Sequence, residues 1–152
     1  MLAAKTTHLR KIKVHTDWKG NLQTEHFVRG FQFIVDEPKK IGGDNEAPTP
    51  LEYVLGSFNG CLLVVIELVA NECSFQYEDI EIFSTATVDR RGLMGTADVS
   101  PYYQTVENEI IFYSKESEER LEELMEIVTE RCPVYNLLKN AGVEIQLNWT
   151  MK

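Results

Sequence analysis

The 152-residue sequence predicts an α+β fold, a mainly antiparallel sheet with helices set apart from it, and three observations predict it. Short segments alternate apolar and polar residues near both ends and in the middle of the chain. One long, almost wholly apolar stretch, Thr49 to Asn71, reads as a central helix. Two further helical patterns, Ser117 to Arg131 and Val134 to Lys139, lie together before the last alternating segment. Length, 43% hydrophobic and 26% charged residues suit one folded domain spanning 1–152.

Arg10 to Thr16 reads as the first strand, with Ile12 and Val14 against polar neighbours, and Asp17 to Asn21 as a turn. Leu22 to Val28 and Phe31 to Val35 complete a meander. Asp36 to Pro48, with Gly42 and Gly43, reads as a surface loop. The long helix opens on coincident start signals: Thr49 as N-cap, Pro50 in the first turn, and Glu52 at capping-box spacing. Its ~21 residues span ~30 Å at ~1.5 Å each, and being apolar nearly all round it should be buried on most faces, either crossing the core or lying between the core and a second subunit. Glu67, Asn59, the interior glycines and the lack of a Lys/Arg flank argue against a membrane span.

Cys73 falls just past this helix. Ile80 to Val88 reads as a strand, with Ile80, Ile82, Ser84 and Ala86 on one parity. Asp89 to Gly92 reads as a turn, Met94 to Val99 as a short strand and Val106 to Tyr113 as another. In the helix from Ser117, Leu121, Leu124, Met125 and Val128 form the apolar stripe, while Glu119, Glu122, Glu123 and Glu126 read as its solvated face. Gly142 ends the following short helix, and Val143 to Met151 is the closing strand.

A net charge of −9 argues against nucleic-acid binding and against anionic membranes. Met1 to Lys13 lacks an apolar signal region, so a cytoplasmic location is expected. His8, His15 and His26 lack metal-ligand spacing, no C-x-x-C pair is present, and neither a metal nor a cofactor is expected. The three cysteines, Cys61, Cys73 and Cys132, do not suggest a disulfide framework. By its neighbours Cys132 occupies the N-cap before Pro133, where the helix dipole favours a thiolate; reactive and structural roles both stay open for it. Cys61, in mid-helix, reads from its neighbours as a buried, inert thiol.

The run Pro48 to Cys61 resembles the helix start N-P-E-E-L-x-x-x-x-x-x-A-C of the OsmC/Ohr family, and Cys132-Pro133-Val134-Tyr135-Asn136-Leu137-Leu138 resembles its second motif, C-P-V-S-x-x-L. Val35-Asp36-Glu37-Pro38 with Gly42-Gly43 is similar to one subgroup. The resemblance covers nearly the whole chain. It implies an OsmC-like fold, antiparallel sheet with a long central helix, in an intertwined homodimer. It also implies thiol-dependent reduction of organic hydroperoxides, with Cys61 peroxidatic and Cys132 resolving. A dithiol, lipoyl groups in the Ohr branch, would reset the pair. The sequence departs from the peroxidase branches in two places. Leu51 stands where they carry a glutamate, and between Asp36 and Pro50 there is no arginine, only Lys39 and Lys40. On an ideal helix Glu52 lies ~13.5 Å along the axis from Cys61 and on the opposite side, so it does not replace that glutamate. A non-peroxidase of the same scaffold, binding a small apolar molecule or responding to redox state, is the alternative expectation.

Overall fold

The computed structural model describes residues 8–152 and divides into two compact units, one ending at Tyr53 and one running from Val54 to Lys152. The part of the N-terminal signal reading that falls on residues 1–7 lies outside the described residues.

In the first unit, β1 (His15–Gly20), β2 (Gln23–Val28) and β3 (Phe31–Val35) form an antiparallel sheet in that order. The first strand therefore sits several residues later than the alternation of Ile12 and Val14 suggested, and both of those side chains stay exposed. The reason lies in the turn. Asn21 takes a positive φ of 47°, and the Trp18 indole N–H donates to the Asn21 carbonyl at 3.1 Å. Asp17 to Lys19 thus belong to a strand paired with β2.

The 36–48 loop is tied down by one carboxylate. Asp36, fully buried, accepts from the amides of Glu37 (2.7 Å), Glu46 (3.0 Å) and Asp44 (3.3 Å). The Glu46 amide is the largest cause holding the Asp36 carboxyl below its ordinary pKa. Gly43 is required here, because a Cβ would lie 1.8 Å from the Glu37 carbonyl oxygen.

Helix α1 (Pro50–Cys73) opens on a formed capping box: Glu52 N–H donates to Thr49 Oγ1 at 3.3 Å, and Thr49 N–H to Glu52 Oε2 at 2.7 Å. The helix runs two residues further than expected and includes Cys73 as its last residue. It ends on Ser74 in the left-handed region, φ 55°, with Phe75 N–H donating back to the Ala70 carbonyl. It is long and apolar enough to cross a membrane, with one third of its apolar window buried within the chain. Within the single chain its burial is one-sided. Only the stripe Phe58, Leu62, Val65, Ile66, Val69 and Ala70 is buried, while Val64 (60%) and Leu68 (51%) are exposed.

In the second unit β4 (Asp79–Val88), β5 (Tyr103–Tyr113) and β6 (Glu144–Met151) form a sheet with β5 in the centre. Val106, Asn108, Ile110 and Phe112 of β5 are fully buried, whereas Glu107 and Glu109 point outward, the alternation of a one-sided sheet. The stretch expected as a strand at 94–99 is not one. Asp89 instead caps the short helix α2 (Arg90–Met94), accepting from the Arg91 amide at 3.0 Å and pairing with the Arg91 guanidinium. That guanidinium brings the Asp89 carboxyl down to about 2. Helices α3 (Glu118–Arg131) and α4 (Pro133–Asn140) carry the chain from β5 back to β6, so β6 pairs with β5 in parallel. The sheet is thus mixed, because a long helical crossover returns the chain in the same direction.

Candidate dithiol site

Two polar edges flank the buried stripe of α1. At about 100° per residue, Asn59 and Cys61 lie about 160° apart around the axis. Asn59 turns to the sheet. Its Oδ1 accepts from Ser84 Oγ at 2.7 Å and from Asn108 Nδ2 at 3.0 Å, and Asn108 Nδ2 also donates to Ser84 Oγ at 2.8 Å. Ser84 and Asn108 are direct cross-strand partners on β4 and β5. The triangle therefore fixes the rotation of α1 against the sheet and, with it, the direction of Cys61. Asn108 is fully buried and its Oδ1 has no partner.

On the other edge, Cys61 meets Cys132. Cys132 serves as C-cap of α3 and N-cap of α4, with Pro133 in the first turn of α4. Its N–H donates to the Val128 carbonyl at 2.9 Å. Asn136 Nδ2 donates to the carbonyls of Cys132 (2.9 Å), Thr129 (3.0 Å) and Glu130 (3.1 Å), clamping the corner between the two helices. The outcome is a Cys132 Sγ to Cys61 Sγ distance of 3.6 Å, with Cys132 as donor. Both are free thiols. Cys132 is fully buried and Cys61 half-buried. A disulfide of about 2.0 Å is reached by closing the gap by about 1.5 Å.

At the N-cap of α4 the helix end and the enclosure of Cys132 act in opposite directions on its thiol. Burial pushes its thiol up to about 11. The Tyr135 and Val134 amides pull the other way, but no cap hydrogen bond to the sulfur forms, and the neighbouring Cys61 raises the thiol further. Desolvation outweighs the helix end because the sulfur is wholly enclosed.

Around the pair, the Phe58 ring stacks on Tyr135 at 6.4 Å, and Lys139 Nζ lies 5.7 Å from the Tyr135 ring centre. Arg131, next in the chain to Cys132, is bound to Glu72. Cys73 lies exposed at the end of α1, where its carbonyl accepts from Arg120. An open cleft near that end, lined by Glu67, Ala70, Asn71, Phe75, Gln76 and Tyr77, contains neither sulfur of the pair. His15 and His26 lie on the strands of the first unit. Among the described residues no three His, Cys, Asp or Glu side chains converge as a metal site.

The sequence reading brought out both cysteines but missed Asn59, Ser84, Asn108 and Asn136. Three of these carried a signal. Ser84 and Asn108 are polar residues at core-facing parity, and Asn59 interrupts an apolar helix.

A mixed sheet packed against a long helix, with two free cysteines side by side at the helix flank, defines the class as an α+β protein. Residues 43–148 match the OsmC-like protein family, and the chain belongs to that family. Among solved structures it is similar to an OsmC-like protein from Mycoplasma pneumoniae (19% identity, TM-score 0.81, covering 93% of this chain and 97% of that one). It is also similar to an organic hydroperoxide resistance protein OsmC from Legionella pneumophila (16%, TM-score 0.69, 96% and 99%). A third is the organic hydroperoxide resistance protein OhrB of Bacillus subtilis (16%, TM-score 0.60, 92% and 98%). At these identities the likeness is one of fold. No curated protein matches the chain.

Proposed function

We propose that this chain is a thiol-dependent reductase of organic hydroperoxides, with Cys61 peroxidatic and Cys132 resolving. The observation that carries the reading is the 3.6 Å separation of two free sulfurs that stand 71 residues apart in the chain. The more accessible Cys61 thiolate attacks the terminal peroxide oxygen. The O–O bond breaks, the alkoxide leaves with a proton as the alcohol, and Cys61 becomes a sulfenic acid. The Cys132 sulfur then displaces the sulfenic hydroxyl, which leaves as water, and the disulfide forms. A dithiol reductant returns both thiols and is itself oxidised to a disulfide. Phe58, Leu62 and Val65 give Cys61 apolar neighbours on its own helix and favour organic over hydrogen peroxide.

The outer face of α1 (Leu63, Val64, Leu68) and Phe83 on β4 are exposed in the single chain, which supports a homodimer as the working form. The reading places it in the cytoplasm. The test is consumption of cumene hydroperoxide with dihydrolipoamide or dithiothreitol as reductant. Turnover by the wild type, abolished in Cys61→Ser, is expected; a wild type that turns over no peroxide, or a Cys61→Ser variant as active as the parent, defeats the proposal.

Leu51 at the glutamate position and the absence of arginine from 36–50 favour a second reading. In it, the same scaffold is a redox-responsive or small-molecule-binding protein that turns over little peroxide. A retained small molecule in native mass spectra, with no turnover, supports that reading over the first.

A further inference from the structure

We propose that the Cys132 S–H group is the hydrogen-bond donor that holds Cys61 in its thiolate form, a role separate from disulfide formation. Its purpose rests on the peroxide-reducing reading; the hydrogen bond itself does not.

The geometry points one way. Cys132 donates to Cys61 at 3.6 Å, within range for a sulfur pair. Cys132 has no exposed surface and Cys61 has some, so of the two sulfurs Cys61 is the one that solvent reaches. Two sulfurs this close do not both ionise readily, and the second proton stays on the enclosed Cys132, whose thiol is pushed up by burial. An S–H is a weak donor in water, but it counts for more where water is excluded.

The other candidates around Cys61 are occupied or distant. On α1 the nearest ionisable side chains are Tyr53, eight residues before, and Glu67, six residues after. Tyr53 donates to the Ile34 carbonyl, and Glu67 accepts from Tyr77 and Asn71. On α3, Arg131 is held by Glu72, and Glu130 is exposed. On α4, Tyr135 stacks on Phe58 with Lys139 over its ring. The groups contributed by β4 and β5, Ser84 and Asn108, are neutral and engage the opposite edge of α1. Among the described residues no lysine or arginine is hydrogen-bonded to either sulfur. Within the single chain, the donor that reaches Cys61 is the second thiol.

The experiment follows alkylation of Cys61 by iodoacetamide against pH, in the full chain carrying Cys73→Ser, with mass spectrometry as the readout. Cys132→Ala is expected to raise the midpoint by about one pH unit, a tenfold loss of thiolate on the acid side. Cys132→Ser, which keeps a donor, is expected to restore most of that shift. Neither variant forms the disulfide, so loss of resolution alone moves neither midpoint. An unmoved midpoint in Cys132→Ala, or equal shifts in both variants, overturns the proposal. If Cys132→Ala does not fold, the same bond is read from the other end. Thiolate absorbance of Cys132 should titrate at lower pH in Cys61→Ser than in the parent, and an unchanged titration overturns the proposal equally. A midpoint that moves while peroxide turnover is absent leaves the donor role standing and removes the peroxidase reading; turnover with a static midpoint does the reverse.

Discussion

At the scale of single residues, three neutral side chains set the direction of Cys61. Asn59 is the acceptor shared by Ser84 and Asn108, so its loss strands two donors at once. Asn59→Ala is expected to cost about 2 kcal/mol in urea unfolding. Asn108→Leu should cost less, because it removes a carbonyl that already lacks a partner and leaves the Ser84 to Asn59 bond in place. Cys132 carries a pH signature. Its thiol pKa is raised in the folded chain, from an ordinary 9.0 to about 11. Between those values the unfolded chain has released the proton and the folded chain has not, so unfolding grows more favourable as pH rises. Stability should fall as pH rises above the ordinary thiol range. Cys132→Ser should flatten that part of the curve in denaturant titrations across the range.

At the scale of elements, the beginning of α1 was legible and its end was not. Thr49, Pro50 and Glu52 form a local pattern whose hydrogen bonds need no distant partner, and they formed as spaced. The end depends on Ser74 adopting a left-handed conformation that no glycine announces. Ser74→Gly should therefore stabilise the chain by about 0.5–1 kcal/mol, read as a higher urea midpoint with an unchanged slope. The same contrast explains the misplaced strands. Ile12 and Val14 alternate but stay exposed, and Met94 to Val99 alternates weakly while Asp89 captures the preceding turn as a helix cap. Local periodicity fails where a side-chain cap or a positive-φ turn competes for the same backbone. The parallel pairing of β6 was available from connection length, since two helices between strands bring the chain back in the same direction.

At the scale of the whole molecule, the dithiol joins two distant parts of the second unit. Oxidising Cys61 to Cys132 closes a loop of 71 residues. The chain-entropy account assigns such a loop about 4 kcal/mol of stabilisation, less any strain in the folded bond. The oxidised chain should melt at a clearly higher denaturant concentration than the reduced one, and addition of dithiothreitol should remove the difference. Any copy carrying Cys132→Ser should show no such gap.

The sequence alone determined the cast: an α+β order of elements, a capped apolar helix bearing Cys61, and a second motif that begins at Cys132. These are readable because periodicity, capping and proline placement act over a few residues. Folding in three dimensions decided the rest. It buried one stripe of α1 and left its other face exposed, made the last strand parallel, and set the sulfurs 3.6 Å apart. It also decided between two opposing influences on Cys132, whose position at a helix start favours a thiolate while its enclosure favours the thiol. Desolvation is a sum over everything packed around an atom, and no spacing along the chain encodes that sum.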